Sequence, residues 1–433
     1  MMKRITVLTA LLFCLAAGVW AADIDWGGKI ENISQGSNIE SEEFTQGNKA
    51  GMWLRSAFSP EFNLFGKAGY IYRYEKEEHQ HIPDISDLYL YGRGNLGDGN
   101  VLSYTVGRFR FSDSTTRVMK STADGGEVFF RNKILPVKAG IGYTGLVFNL
   151  TSEVVMSPAD KLESDDQFLL APPRILGFAE ISSPILAGGN TLKLAVIAQM
   201  DLRQEDNSYL EDSQTGKLHT QYVQLSADGS IIPDLFYTLS GVLQTGQYLI
   251  PSYGTDAAAD YSYLGGMASM TLDYYVEPRF NTTISLDALY SSGDSWSDRA
   301  DFNFLNPPDG GGSSLHRYVP ISNTTKGYVY SPELGNLIFG DLSISIMPIE
   351  KVQLLLSSIT FMRAVDGPIF DDYISEDSGN SLYLGEEIDF TVNFRPWSDL
   401  GLSLTSGIFI PNKDIQTEKD ISYRIGGYLS VSF

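Results

Sequence analysis

The chain ends inside a strand. Counting back by twos from the last residue gives Phe433, Val431, Leu429, Gly427, Ile425 and Tyr423, and the interleaved set is Ser432, Ser430, Tyr428, Gly426 and Arg424. Successive strand side chains point to opposite faces, so Ile421–Phe433 has one apolar and one polar face. At the edge of a water-soluble sheet such a strand is an open template for unwanted pairing. Closing the sheet on itself, last strand against first, removes the edge. The last strand of a soluble sandwich carries the same local pattern, so the rest of the chain has to decide.

About eighteen segments share strand character, and the gaps between them alternate long and short. Short turns read at Ser59-Pro60-Glu61, Gly97 to Asn100, Leu135-Pro136-Val137, Ala187 to Asn190, Pro233-Asp234, Glu277-Pro278-Arg279, Ile349-Glu350-Lys351 and Trp397 to Asp399. The long gaps include a polar stretch up to Lys49, the charged EKEEHQHIPD after Tyr74, and a Ser/Thr-rich stretch up to Gly126. They also include acidic stretches over 157–168 and 203–217, and the longest gap, 291–334. Segment six is expected over Glu127–Ile134 and segment seven from Lys138 to about Val155. Long loops on one side and short turns on the other are the mark of an outer-membrane barrel. The expected fold is all-β, a transmembrane antiparallel up-and-down barrel of about eighteen strands. An even count puts both termini on the periplasmic side. The terminal Phe433 after alternating apolar residues is similar to the C-terminal assembly signal of such barrels, which assigns Tyr423, Ile425, Leu429, Val431 and Phe433 to recognition by the barrel-assembly machinery.

Residues 1–21 read as a secretory leader: Lys3 and Arg4, an apolar core from Ile5 to Ala17, and small residues Val19 and Ala21 before cleavage. One barrel domain over 22–433 follows. The single cysteine, Cys14, lies in the leader after the large Phe13, which is unlike a lipid-anchor site, so the mature chain is expected to have no thiol chemistry. No apolar run after the leader reaches the ~20 residues of a membrane helix, whereas a membrane strand gives lipid only every second residue. The formal net charge is −22, and loss of Lys3 and Arg4 deepens it. That excludes nucleic acid as a partner.

Ile388, Phe390, Val392 and Phe394 alternate with Glu387, Asp389, Thr391, Asn393 and Arg395. In a barrel the first set meets lipid and the second the lumen. Lys or Arg on the lipid face costs roughly 2–4 kcal/mol at the midplane. The expectation is therefore that Arg55, Lys67, Arg73, Arg93, Arg108, Arg110, Arg131 and Lys133 line the pore on one side, facing Asp287, Asp341, Glu387 and Asp389 on the other. The tyrosines Tyr70, Tyr72 and Tyr74 fit an interfacial girdle at one end of the outer face. The gap 291–334 is long enough to fold inward and narrow the pore. Asp294, Asp298 and Asp301 form an acidic group without the Gly and Glu placement of a calcium loop, so no metal site is assigned.

From the thirteenth segment on, a resemblance adds to this. YSSGDSWSDRADFNFLNP (Tyr290 to Pro307), Gly107-Arg108, Asp124-Gly125 and LGEEIDFTVNF (Leu384 to Phe394) followed by GIFIPN are similar to the pattern of the alginate-export family, in order from about residue 100 to the end. The resemblance implies an eighteen-stranded barrel whose arginine-rich lumen passes anionic polysaccharide or other hydrophilic solutes, with Arg108 on the pore wall. Phe109 stands where that family usually has a polar residue, and the acidic inner positions depart from a wholly positive pore.

The resulting expectation is a diffusion channel for hydrophilic, anionic or sugar-like solutes, with outer-membrane lipid and the assembly machinery as partners and no cofactor. The alternatives are a closed or structural barrel acting as an adhesin through its acidic loops, and a lipid or fatty-acid transporter, which would have an apolar lumen and a plug. An enzyme is not expected. Of the four histidines, His79, His81 and His316 fall in loops and His219 opens a strand with no nucleophile motif near it.

Overall fold

A computed structural model describes residues 23–39, 43–155, 170–186, 189–202, 217–250, 259–277, 280–295, 314–322, 324, 326–367, 369, 381–413 and 420–433. The expected leader, and with it Cys14, lies outside them, as do the acidic groups Glu163, Asp165 and Asp166, and Glu205, Asp206, Glu211 and Asp212. In chain order the strands are β1 (Asp23–Ser37), β2 (Glu43–Ser59), β3 (Phe62–Glu75), β4 (Glu78–Gly97), β5 (Asn100–Ser112), β6 (Lys120–Arg131) and β7 (Val137–Tyr143). Then come β8 (Arg174–Ser182), β9 (Thr191–Asp201), β10 (Lys217–Ile232), β11 (Leu235–Ile250), β12 (Ala259–Glu277) and β13 (Thr282–Ser291). The last are β14 (Ser314–Leu315), β15 (Leu337–Ile349), β16 (Val352–Arg363), β17 (Tyr383–Trp397), β18 (Leu400–Pro411) and β19 (Ser422–Ser432).

All of these except β14 pair antiparallel with their neighbours, and β19 returns to β1 over Lys29↔Ser432 to Ser37↔Arg424, closing an eighteen-stranded wall. The two-residue β14 lies parallel to β12. Both ends of the wall sequence meet on the turn side: Asp23 pairs with Ala57, and Phe433 exchanges backbone hydrogen bonds with Gly28 at 2.9 and 3.0 Å. No helix among the described residues is long and apolar enough to cross a membrane.

The outer face is a band of exposed apolar side chains, among them Leu54, Leu90, Val106, Val128, Ile141, Val196, Leu243, Leu264 and Leu404. The C-terminal residues Tyr423, Ile425, Leu429, Val431 and Phe433 share it, all exposed. The Phe433 ring lies over Gly28, where any Cβ would come within 2.3 Å of it. Tyr70, Tyr72 and Tyr74 stand together on the outer face of β3. Tyr72 hydrogen-bonds His79 of β4 at 2.8 Å and Tyr70 hydrogen-bonds His81. Rings of both types thus share that face of the hairpin, and His79 and His81 lie on a strand rather than in a loop.

Four boundaries differ from expectation. The polar stretch before Lys49 and the charged EKEEHQHIPD are strand: β2 starts at Glu43, and β3 and β4 run to a tight tip at Lys76 and Glu77, both with positive φ (49° and 66°). β4 has 20 residues against the ~9–11 that span a bilayer, so this hairpin stands clear of the membrane. β6 begins at Lys120 rather than Glu127. β7 ends at Tyr143, and the chain then turns into the barrel, where Val147, Val154 and Val155 are buried. In the longer strands the polar residues satisfy a ladder at the strand ends, a place where side-chain polarity no longer distinguishes strand from loop.

The lumen is not uniformly wet. Segments 113–119 and 316–334 fold inward and pack on the inner wall. Val118, Met119, Tyr318, Ile321, Tyr330 and Leu334 join Phe111, Leu176, Ile197, Tyr222, Phe361 and Phe409 in one buried apolar cluster. A membrane barrel here contains a small protein core.

Candidate functional site

The inward loop between β13 and β15 is fastened at two places. At the first, Asp294 accepts the backbone N–H of His316 (2.9 Å) and of Arg317 (3.1 Å), a turn-closing use of the carboxylate. Asp298 and Asp301, considered with it as calcium ligands, lie outside the described residues. Val319 is then held from both sides: its carbonyl accepts from Tyr222 Oη at 2.5 Å and its N–H donates to Gln244 Oε1 at 2.8 Å. Ile321 N–H donates to Val118 O at 2.9 Å, tying the loop to segment 113–119. That segment is itself turned by Asp113, whose carboxylate accepts the N–H groups of Thr115 and Met119.

The second fastening is on β17. Glu387 is fully buried and accepts Val329 N–H at 2.7 Å and Tyr330 N–H at 2.8 Å. Asp389 accepts Tyr328 N–H at 3.2 Å. Tyr330 stacks on Phe409 (4.4 Å between ring centroids) and meets Phe361 edge-on at 5.0 Å. Gly327 sits against the latch so closely that a Cβ would be 2.5 Å from Glu387 Oε2. Glu387 and Asp389, expected on the pore wall, are here occupied as acceptors that anchor a loop.

Asp287 and Asp341 face one another across β13 and β15 on the same inner face. Arg117, from the opposite wall's inward segment, reaches Asp287 Oδ2 at 2.5 Å, and Thr271 Oγ1 donates to Oδ1 at 3.1 Å. Lys326 of the loop lies over the Phe339 ring at 5.4 Å and hydrogen-bonds Thr324. Burial pushes its ammonium down to about 7, with Arg117 adding to the fall and Asp287 opposing it. Asp287, Glu387 and Asp389 are therefore met by a cation and N–H groups of the infolded segments, whereas Asp341 keeps a buried oxygen without a partner among the described residues. Arg117 and Lys326 escape sequence reasoning because they lie between strands, where no period assigns a face.

The basic residues divide. Arg55 pairs with Phe65, and Lys67 with Trp53 and Asp87, on the inner face. Arg73 shares that face in the projecting hairpin, opposite Gly47 and Gln80. Arg93 and Arg131 lie inward near the turn ends of β4 and β6, Arg131 over the Phe129 ring at 5.7 Å. None of these five makes an ion pair within the described residues.

Arg108 does not line the pore. It pairs with Leu88 and Asp124 on the outward face, continuing from the exposed Val106. There Nε and Nη2 fork onto Asp124 at 2.9 and 2.7 Å, and Nη1 and Nη2 donate to the carbonyls of Ile85 and Leu146. The β4–β5 ladder stops at Leu88↔Arg108, so the guanidinium closes the fork where the strands part. Gly107, at φ +131°, makes the approach possible, because a Cβ there would stand 2.2 Å from Leu88 O. Arg110 pairs with Glu153 at 3.0 Å and borders a recess of the inner wall. Lys133 is in the β6–β7 turn, outside the wall. Among the described residues no group of three or more His, Cys, Asp or Glu could hold a metal ion.

The family model described as alginate export matches residues 193–424. That span contains Tyr290–Pro307 and Leu384–Phe394 but not Gly107-Arg108 or Asp124-Gly125, so the resemblance covers less than the order of motifs implies. Solved structures with the same fold include three from Pseudomonas aeruginosa. OccK2 (OpdF) in complex with glucuronate has a TM-score of 0.54 at 10% identity, over 95% of this chain and 98% of that one. OpdK with vanillate has 0.53 at 10%, over 95% and 99%. OccK5 (OpdH) has 0.53 at 10%, over 95% and 98%. At such identity the likeness is one of fold. No curated protein matches the chain.

Proposed function

The chain belongs to the alginate-export family, whose barrels sit in the outer membrane, and on that premise we propose that it is a diffusion channel passing small hydrophilic solutes, anionic or sugar-like in preference. One observation carries the preference. Along β2 to β6 the inward cations Arg55, Lys67, Arg73, Arg93 and Arg131, none of them ion-paired among the described residues, outnumber the similarly unpaired carboxylates Glu75, Glu78, Asp84 and Asp87, since Glu127 is tied to Lys138. On the far wall Asp287, Glu387 and Asp389 are already matched. Charge facing water in a low-dielectric tube sets which ion dwells there, so an acidic chain can present a cationic path. That two neighbours of the same fold were solved with glucuronate and vanillate agrees with a carboxylated cargo. Outer-membrane lipid against the apolar band, and the assembly machinery at Phe433, are the partners this reading implies.

Reversal potentials of the refolded protein in a planar bilayer under a salt gradient test it. Anion preference that falls in the double variant Arg55→Gln, Lys67→Gln is the expected result. Cation preference in the parent protein, unchanged in that variant, removes the reading, and the absence of any conductance removes the channel.

A further inference from the structure

A strip of aromatic rings runs across the inner wall from β2 to β5. Trp53 stacks on Phe65 (6.3 Å), Phe65 lies 5.3 Å from Tyr89, Tyr89 meets Phe109 edge-on at 6.1 Å, and Phe109 stacks on Phe111 at 4.3 Å. The strip has two halves. Phe111 is fully buried beneath the infolded segments and Phe109 nearly so, whereas Trp53, Phe65 and Tyr89 are only half-buried. Strand register puts Arg55, Phe65, Tyr89 and Gly107 in one row on one face, and the last of them has no side chain to cover its neighbour.

Here the wall is recessed, with a cavity of about 570 Å³ bordered by Arg55, Asn63, Phe65, Asp87, Tyr89 and Phe109. That is within the roughly 300–1,000 Å³ of small-molecule sites. Its charges are not equivalent. Arg110 at its border is taken by Glu153, and Asp87 stands cross-strand from Lys67. Arg55 has no ion-pair or hydrogen-bond partner within reach among the described residues, with Asp25 of β1 the carboxylate directly cross-strand from it. A planar guanidinium accepts a carboxylate through two parallel hydrogen bonds. Half-covered rings beside it offer an offset-stacking surface to a flat solute. A saturated chain has no π face for offset stacking, and a sugar would meet the rings only through its C–H faces. Asp87, two strands from Arg55, opposes a second carboxylate.

We propose that this recess is a binding subsite for a monocyclic aromatic monocarboxylate of the benzoate class. The inference rests on the reading of the protein as a channel for small anions, and names one solute class and where it pauses.

Equilibrium dialysis of labelled benzoate against the full-length protein in detergent tests the site without needing transport. Saturable binding is expected, weakened roughly 10- to 100-fold by Arg55→Gln, as for loss of a hydrogen-bonded charge. Phe65→Leu and Tyr89→Leu each weaken it roughly 3- to 10-fold, as for loss of an aromatic pair. Cyclohexanecarboxylate, of equal charge, and terephthalate, with a second charge, compete less well than unlabelled benzoate. Heat-modifiable gel migration shows which variants keep the barrel. Binding that does not saturate, or that is indifferent to Arg55→Gln and Phe65→Leu in folded barrels, overturns the subsite. Conductance measured on the same preparations separates the two claims. Conductance without benzoate binding removes the subsite and leaves the channel, whereas binding without conductance upholds the recess and removes the channel.

Discussion

Replacing Glu387 with Gln tests whether the inward loop is held by the wall and obstructs the lumen. The parent carboxylate accepts two backbone N–H groups, from Val329 and Tyr330, in a site with no solvent exposure. Hydrogen bonds to a carboxylate contribute about 1.5–3 kcal/mol each. Gln keeps one oxygen and turns the other acceptor into a donor facing an N–H. The variant therefore loses one bond and strains the second, a cost of roughly 2–4 kcal/mol in loop docking. At 1.4 kcal/mol per factor of ten, the ratio of docked to undocked loop falls roughly 30- to 700-fold. Glu387→Ala loses both bonds and loosens the contact of Tyr330 with Phe409 besides. The backbone ladder of β17 with β16 and β18 does not involve the side chain, so the barrel closes as before. Single-channel recording is the assay. Both variants are expected to conduct more than the parent, with added slow current noise as the loop exchanges, and to keep parental heat-modifiable migration. Conductance and noise identical to the parent's in folded Glu387→Ala would show that this latch either does not hold the loop or holds it clear of the path.

Arg108→Met is expected to lower the thermal unfolding transition by an amount set by roughly 2–4 kcal/mol, because Asp124 and two carbonyls lose their donor in a mostly covered site, while the anion-to-cation permeability ratio stays at the parent value. A shifted ratio with unchanged melting would return Arg108 to the pore. Lys326 gives a pH dependence. Its ammonium is held at about 7 in the docked loop against an ordinary 10.5, so the undocked loop binds more protons between those values and docking strengthens as pH rises from 7 to 10.5, with no further loss below 7. Open-loop current events should become rarer across that window in the parent and show no such trend in Lys326→Met.

The strands were legible because the outer face obeys one solvent. Wherever lipid is the neighbour, as along Ile388, Phe390, Val392 and Phe394, every second residue must be apolar and the period of two is plain. The inner face has two neighbours, water and the infolded core, and the pattern records only the first. In β5 the alternation is clear, Arg108 and Arg110 against Phe109 and Phe111, yet its sense is reversed: the phenylalanines face in and Arg108 faces out. Period fixes which residues share a face, not which face is inside. A signal was present in β8, where Leu176 and Phe178 alternate with Ile175 and Gly177, so that neither face of that stretch is polar. A strand covered on both sides reads that way. The loop residues that complete the lumen, Arg117 and Lys326, have no period at all, and only the long-range packing of Tyr318, Ile321 and Tyr330 places them.

The two sides of the lumen differ in what their charges are for. On β13 and β17 the inward carboxylates are acceptors: Asp287 for Arg117, Glu387 for two backbone amides, Asp389 for a third. An infolded loop brings many N–H groups away from water, and unmatched ones cost as much as lost hydrogen bonds. A wall meant to hold such a loop therefore needs acceptors at the points of contact, and buried carboxylates supply two each. On β2 to β6 Arg55 and Lys67 are exposed among the described residues, and their charge is left to the water. Net charge is thus a poor guide to what a solute meets. A count of inward residues makes the lumen look balanced, whereas subtracting those already bound to the loop leaves a cationic strip beside the aromatic recess.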